Sequence, residues 1–141
     1  MTSTQNIRIG LATIRITVAA FFLIWSIEKI IAPEITQAVF SRFYFLTIPS
    51  SFSVFIGIVQ TIIVLLFLAG LFKLWTYGAL LGMHAVSVIA SHQPLLDPYM
   101  PPNHLFWASI PTLGALIALF LMRDEDQLFT WSSLFVAKSR Q

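Results

Sequence analysis

Glu28, Lys29, Gln60 and His84 stand within long apolar runs or near their ends, where polar side chains are costly and mark functional sites by default. An imidazole at His84 can hold a quinone carbonyl, ligate haem or copper, or relay protons. It can equally bond a neighbouring helix and do nothing else. Gln60 suits an interhelical hydrogen bond, worth about 0.6 kcal/mol inside a membrane. Glu28 and Lys29 are adjacent, so they lie on different faces of a helix. They pair with other groups or snorkel to an interface, unless the carboxylate serves a site. Arg15 either snorkels inward or ties down the inner end of its helix. His92, His104, Met83 and Met100 are of types that suit copper. Their spacing matches no metal motif, and no metal is assigned. The chain has no cysteine, which excludes thiolate catalysis, disulfides and Cys-ligated metal centres. No Ser-His-Asp set, phosphate loop or zincin motif is present. No catalytic residue is named, and whether the chain is an enzyme stays open.

The elements that must position these groups are set by apolar length. Hydrophobic residues make up 57% of the 141-residue chain and charged residues only 10%, with a mean hydropathy of +0.85. A soluble domain carries about 25% charged residues. A bilayer core of about 30 Å takes roughly 20 helical residues. Four runs meet that length, at about 9–32, 51–72, 74–92 and 104–122. The expectation is a single all-α integral membrane domain over 1–141, a bundle of four transmembrane helices. The first run exceeds the apolar region of a signal peptide, about 7–15 residues, and is read as a retained span. Pro33 ends it. Ile35, Val39, Phe43 and Leu46 then recur at helical spacing, which predicts a short interfacial helix after the first span. Pro94, Pro98, Pro101 and Pro102 argue against regular helix over 93–103, and Pro111 should kink the fourth span. The tail, 123–141, is weakly amphipathic through Leu128, Phe129, Trp131, Leu134 and Phe135 and is expected along the membrane surface.

Lys and Arg placement orients the bundle. Arg8, Lys73, Arg123, Lys138 and Arg140 share one side and mark it, with both termini, as cytoplasmic. The net charge of +2 comes from these few groups, and no basic stripe suggests nucleic acid. With that topology Gln60 lies about 15 Å, and His84 about 12 Å, below the outer end. Ser109 and Thr112 fall at a compatible depth. We therefore expect one outward-facing pocket lined by Glu28, Lys29, Gln60, His84 and Thr112, with Trp25 and Trp107 as apolar walls. His84 or Gln60 would donate to a carbonyl, and Lys29 would offset developing negative charge. Gly78 with Gly82, and Gly114 with Ala118, have the small-residue spacing that lets membrane helices approach closely.

Three passages carry a resemblance. The first span reads R-ITVAAFFLIWSIE-K, followed by Pro33; the second reads FIGIVQTIIVLLFLAGLF; the fourth opens N-H-L-F after the Pro-rich stretch. Their order and spacing resemble the DoxX family of small four-helix bacterial membrane proteins over nearly the whole chain. In that pattern a Glu follows V-G-x-x in the second span, where this chain has Gln60; the departure removes a carboxylate and weakens proton handling there. The resemblance implies a bacterial cytoplasmic membrane, a quinone or lipophile as ligand, and association with a membrane redox system. It equally implies a non-catalytic accessory subunit packed against a larger complex. Membrane lipids are expected as partners, and a homo-oligomer is the alternative to the larger complex.

Overall fold

The computed structural model describes residues 2–131. Every regular element among them is helical: α1 (Ser3–Ile31), α2 (Pro33–Val39), a π-helix (Phe40–Tyr44), α3 (Ser50–Leu68), α4 (Lys73–Ala90), α5 (His92–Leu96), a 3-10 helix (Asn103–Ala108) and α6 (Ser109–Leu121). The four long helices form a ring in which α1 touches α3, α3 touches α4, α4 touches α6 and α6 returns to α1.

Local sequence explains the boundaries. Thr2 caps α1 by accepting from the Gln5 amide at 3.3 Å, so α1 starts before its apolar run does. Pro33 stops α1 and opens α2 at its first position, where the missing N–H costs nothing. The expected interfacial helix is thus α2 with its π-helical extension. The two expected proline effects need correction. Pro94 sits in the first turn of α5, and Pro111 in the first turn of α6. First-turn residues have no intrahelical acceptor for their N–H. Helix therefore forms within 93–103, and the fourth segment changes from 3-10 to α at Ser109, just ahead of Pro111.

Three helical segments are long and apolar enough to cross a membrane: Ser3–Ile31, Ser50–Leu68 and Asn103–Leu121. The expected fourth, α4, is not among them. It has 18 residues, but Lys73, Thr76, Tyr77, His84 and Ser87 dilute its apolar content.

The bundle is apolar on both sides of its wall. Its core joins Leu11, Val18 and Phe22 of α1 to Val64 and Phe67 of α3, Leu80 of α4, and Leu116 and Leu119 of α6. The outside is equally apolar: Ile24 and Ile89 are each 70% exposed, and Ile31, Phe55 and Leu121 are also exposed. Buried among the core residues are Arg15, Ser26, Ser53, Gln60, Thr76 and His84. Soluble proteins rarely expose apolar surface on this scale.

Close packing occurs at α1–α3 and not at the glycines expected to provide it. A Cβ on Gly57 would come within 2.7 Å of Ile30 Cγ1 and 2.9 Å of the Ser26 carbonyl oxygen. On either side, Ser53 Oγ donates to the Lys29 carbonyl (2.9 Å) and Thr61 Oγ1 to Ser26 Oγ (3.0 Å). Gly78 merely meets the Phe120 ring at 3.4 Å, while Gly82 and Gly114 have nothing within 4 Å. Ala118, paired with Gly114 in that expectation, is half-buried on α6. Gly57→Val should lower stability in detergent by about 1–3 kcal/mol. Gly82→Ala should be neutral or stabilising by up to ~1 kcal/mol. Thermal unfolding followed by circular dichroism separates the two.

Candidate functional site

His84 is buried on the inner face of α4. Its Nε2 lies 2.9 Å from the Ser109 carbonyl oxygen. A carbonyl only accepts, so Nε2 donates and Nδ1 remains the ring's uncommitted nitrogen. The imidazole meets two rings of α1 edge-on, Phe22 at 5.7 Å and Phe21 at 6.2 Å between centroids. The depth estimate that grouped His84 with Ser109 thus corresponds to a direct contact. Gln60 is buried on the same stripe of α3 as Gly57 and Val64. Its amide has no hydrogen-bond partner among the described residues.

The other expected pocket residues are spread apart. Trp25 and Trp107 are both exposed. Lys29 is half-buried and its Nζ donates to the Trp25 carbonyl of its own helix at 3.1 Å. Glu28 is half-buried beside it. Two shallow cavities of the bundle are not lined by Trp25, Glu28, Lys29, Gln60, His84 or Trp107. Thr112 does line one. This is a groove of about 310 Å³ between α1 and α6, walled by Thr17, Val18, Phe21, Pro111, Thr112 and Ala115. Phe21 therefore separates the groove from His84. Both threonine hydroxyls donate to their own helices, Thr17 to the Thr13 carbonyl and Thr112 to the Ala108 carbonyl, each at 2.9 Å. What they offer the groove is oxygen lone pairs.

The strongest polar cluster lies at the other end and was only half anticipated. Arg15 and Asp126 are both 0% exposed and form an ion pair at 2.7 Å (Nη1 to Oδ1). Tyr77 donates its hydroxyl to the second carboxylate oxygen at 2.7 Å. Arg15 Nη2 donates to the Leu128 carbonyl, and Lys73 Nζ to the carbonyls of Asp126 and Arg123. Arg15 Nε is buried without an acceptor. The segment past α6 is therefore not a surface tail: through Trp131 it turns back and closes this end of the bundle. Leu134 and Phe135 lie outside the described residues. Gly70 makes room for the return. Its φ is +66°, and a Cβ there would come within 2.6 Å of Thr130 Cγ2. The Trp131 amide closes the turn by donating to the Ala69 carbonyl at 2.8 Å.

Sequence reasoning placed Arg15 at this end but not its partner. The available signal was a lone Arg between one and two turns into an apolar run, since a buried charge requires a counter-charge. Among the described residues no group of three His, Cys, Asp or Glu side chains is placed to hold a metal ion. No family model, curated protein or solved structure matches the chain.

Asp126→Ala strands a buried guanidinium and should cost about 3–5 kcal/mol. Replacing both partners (Arg15→Met with Asp126→Leu) should recover much of that loss. A double-mutant cycle read by thermal unfolding in detergent measures the coupling.

Proposed function

We propose that the chain is a multi-pass membrane protein that binds a lipophile of the quinone class, in its reduced hydroxyl-bearing form, in the groove between α1 and α6. The membrane part of the reading is supported by apolar surface outside a polar-containing interior, and by three helices of spanning length and apolarity. We take α4 as the fourth span. Its 18 residues reach about 27 Å, close to the roughly 30 Å of a bilayer core, and it packs between α3 and α6. Lys73 and Arg123 at the sealed end favour that end as cytoplasmic. The DoxX-like motifs favour a bacterial inner membrane and a redox setting.

The observation that carries the ligand reading is the groove itself. It lies beside Thr17 and Thr112, near the middle of two spans, and is otherwise apolar. Prenyl or acyl chains fit such a surface. Both threonines offer acceptors, so a quinol hydroxyl matches them and a quinone carbonyl does not. His84, behind Phe21, is one ring away.

A second reading, a non-catalytic accessory subunit of a larger redox complex, is favoured by the commitment of His84 to Ser109, a bond that serves packing. Lipid extraction from the protein purified in mild detergent separates the two. The first reading requires a quinone or quinol in stoichiometric amount. The second requires one large partner to co-purify reproducibly and no enriched lipophile.

Ala115→Trp should fill the groove without touching the buried ion pair. Bound quinol should fall roughly tenfold, a loss of about 1.4 kcal/mol, with elution and melting temperature unchanged. Equal lipophile content in the variant, or none above background in the parent, would sink the groove reading.

A further inference from the structure

The outer end of the bundle carries a second cavity of about 320 Å³. Its walls come from segments far apart in sequence. The π-helix contributes Arg42 and Phe43; the stretch from α5 to the 3-10 helix contributes Gln93, Asp97, Met100 and Asn103. Ring contact between Phe43 and Phe106, 5.8 Å between centroids, holds the two segments together. π-Helical turns are rare and occur disproportionately at functional sites. This one supplies the only Lys or Arg among the described residues that line the cavity.

The cavity presents two opposite charges that are not spent on each other. The Arg42 guanidinium lies 5.5 Å from the centre of the Phe43 ring. Neither Arg42 nor Asp97 forms an ion pair among the described residues. Asn103 Nδ2 donates to the Asp97 carbonyl at 2.9 Å, which leaves Oδ1 as the amide's acceptor. Around this polar centre Phe45, Leu96, Tyr99 and Leu105 are exposed. Apolar and aromatic side chains around a polar centre suit a segment seated at headgroup level.

We propose that this cavity holds the headgroup of a zwitterionic phospholipid bearing a primary ammonium, with its phosphate on Arg42 and its ammonium on Asp97 and Asn103. A guanidinium fork takes two phosphate oxygens together. An ammonium has three N–H donors for a carboxylate and an amide oxygen. A choline headgroup has no N–H to give, and a glycerol headgroup has no positive charge. The inference rests on the bilayer reading above but not on the α1–α6 groove.

The test reconstitutes the full chain with phosphatidylethanolamine, phosphatidylcholine and phosphatidylglycerol of identical acyl chains in equal amounts. Retained lipid is then counted by native mass spectrometry. Phosphatidylethanolamine should be enriched roughly fivefold over phosphatidylglycerol, the scale of one partly exposed ion pair. Asp97→Asn should bring those two to parity, and Arg42→Gln should lower retention of all three. Both residues are exposed, so the fold should survive either change. Ala115→Trp should leave the lipid ratio as it was, which separates failure at the groove from failure here. A parent with no headgroup preference, or a preference indifferent to Asp97→Asn, overturns the proposal.

Discussion

A guanidinium buried among apolar side chains is tolerable only when a counter-charge and hydrogen-bond acceptors come to it. Arg15 obtains both from a single short stretch, the carboxylate of Asp126 and the carbonyl of Leu128. Much of the inner half follows from meeting that demand. The chain must reverse after α6 to deliver Asp126. The α3–α4 turn must be a glycine in the left-handed region so that Thr130 can pass. The first turns of α4 must offer Lys73 and Tyr77 to bind the returning segment and the second carboxylate oxygen. Tyr77 in turn is fixed by edge contact with Phe67 of α3, 4.7 Å between centroids. One buried charge thus links α1, the α3–α4 turn, α4 and the segment past α6. Such a network is expected to behave non-additively.

The outer half is held differently. Along α1 and α3 the contact is made by small groups: Ser26, Ser53, Gly57 and Thr61 bring the backbones together and satisfy their hydroxyls across the seam. No charge is buried there. The two ends therefore have unlike mechanical character. The inner end is closed by hydrogen bonds to charged groups, while the middle and outer parts keep shallow openings against α6 and under the Pro-rich stretch.

Much of the helical layout was legible because hydrophobic length and proline position are local properties. The first two apolar runs, the α2 helix after Pro33 and the shared depth of His84 and Ser109 all follow from them. Features set by distant residues were less legible. Asp126 sits between Glu125 and Gln127 in a polar stretch, and nothing local distinguishes it from a surface carboxylate. The glycines at 78, 82 and 114 have the right spacing, yet neighbour contact decides whether that spacing is used. The Ser53, Gly57 and Thr61 series also recurs at four-residue intervals, but its members differ in type and do not form a small-residue motif. Pro94 predicts a break and Pro111 a kink only while the nearby helix starts go unseen; in a first turn proline breaks nothing. The expected pocket dispersed for a related reason: depth along a helix axis does not report the direction around it, so Trp25 and Trp107 share a region with His84 without sharing a cavity.

The residue that needs neutralising precedes its partner by 111 positions. Chains are made N-terminus first, so the cation on α1 is in place long before the anion exists. Until translation has passed α6, Arg15 has neither the Asp126 carboxylate nor the Leu128 carbonyl to bind, and the cluster cannot form. Closure of this end of the bundle thus comes late in synthesis: the last helix must be made, and the stretch beyond it must fold back, before the first helix has its full set of contacts.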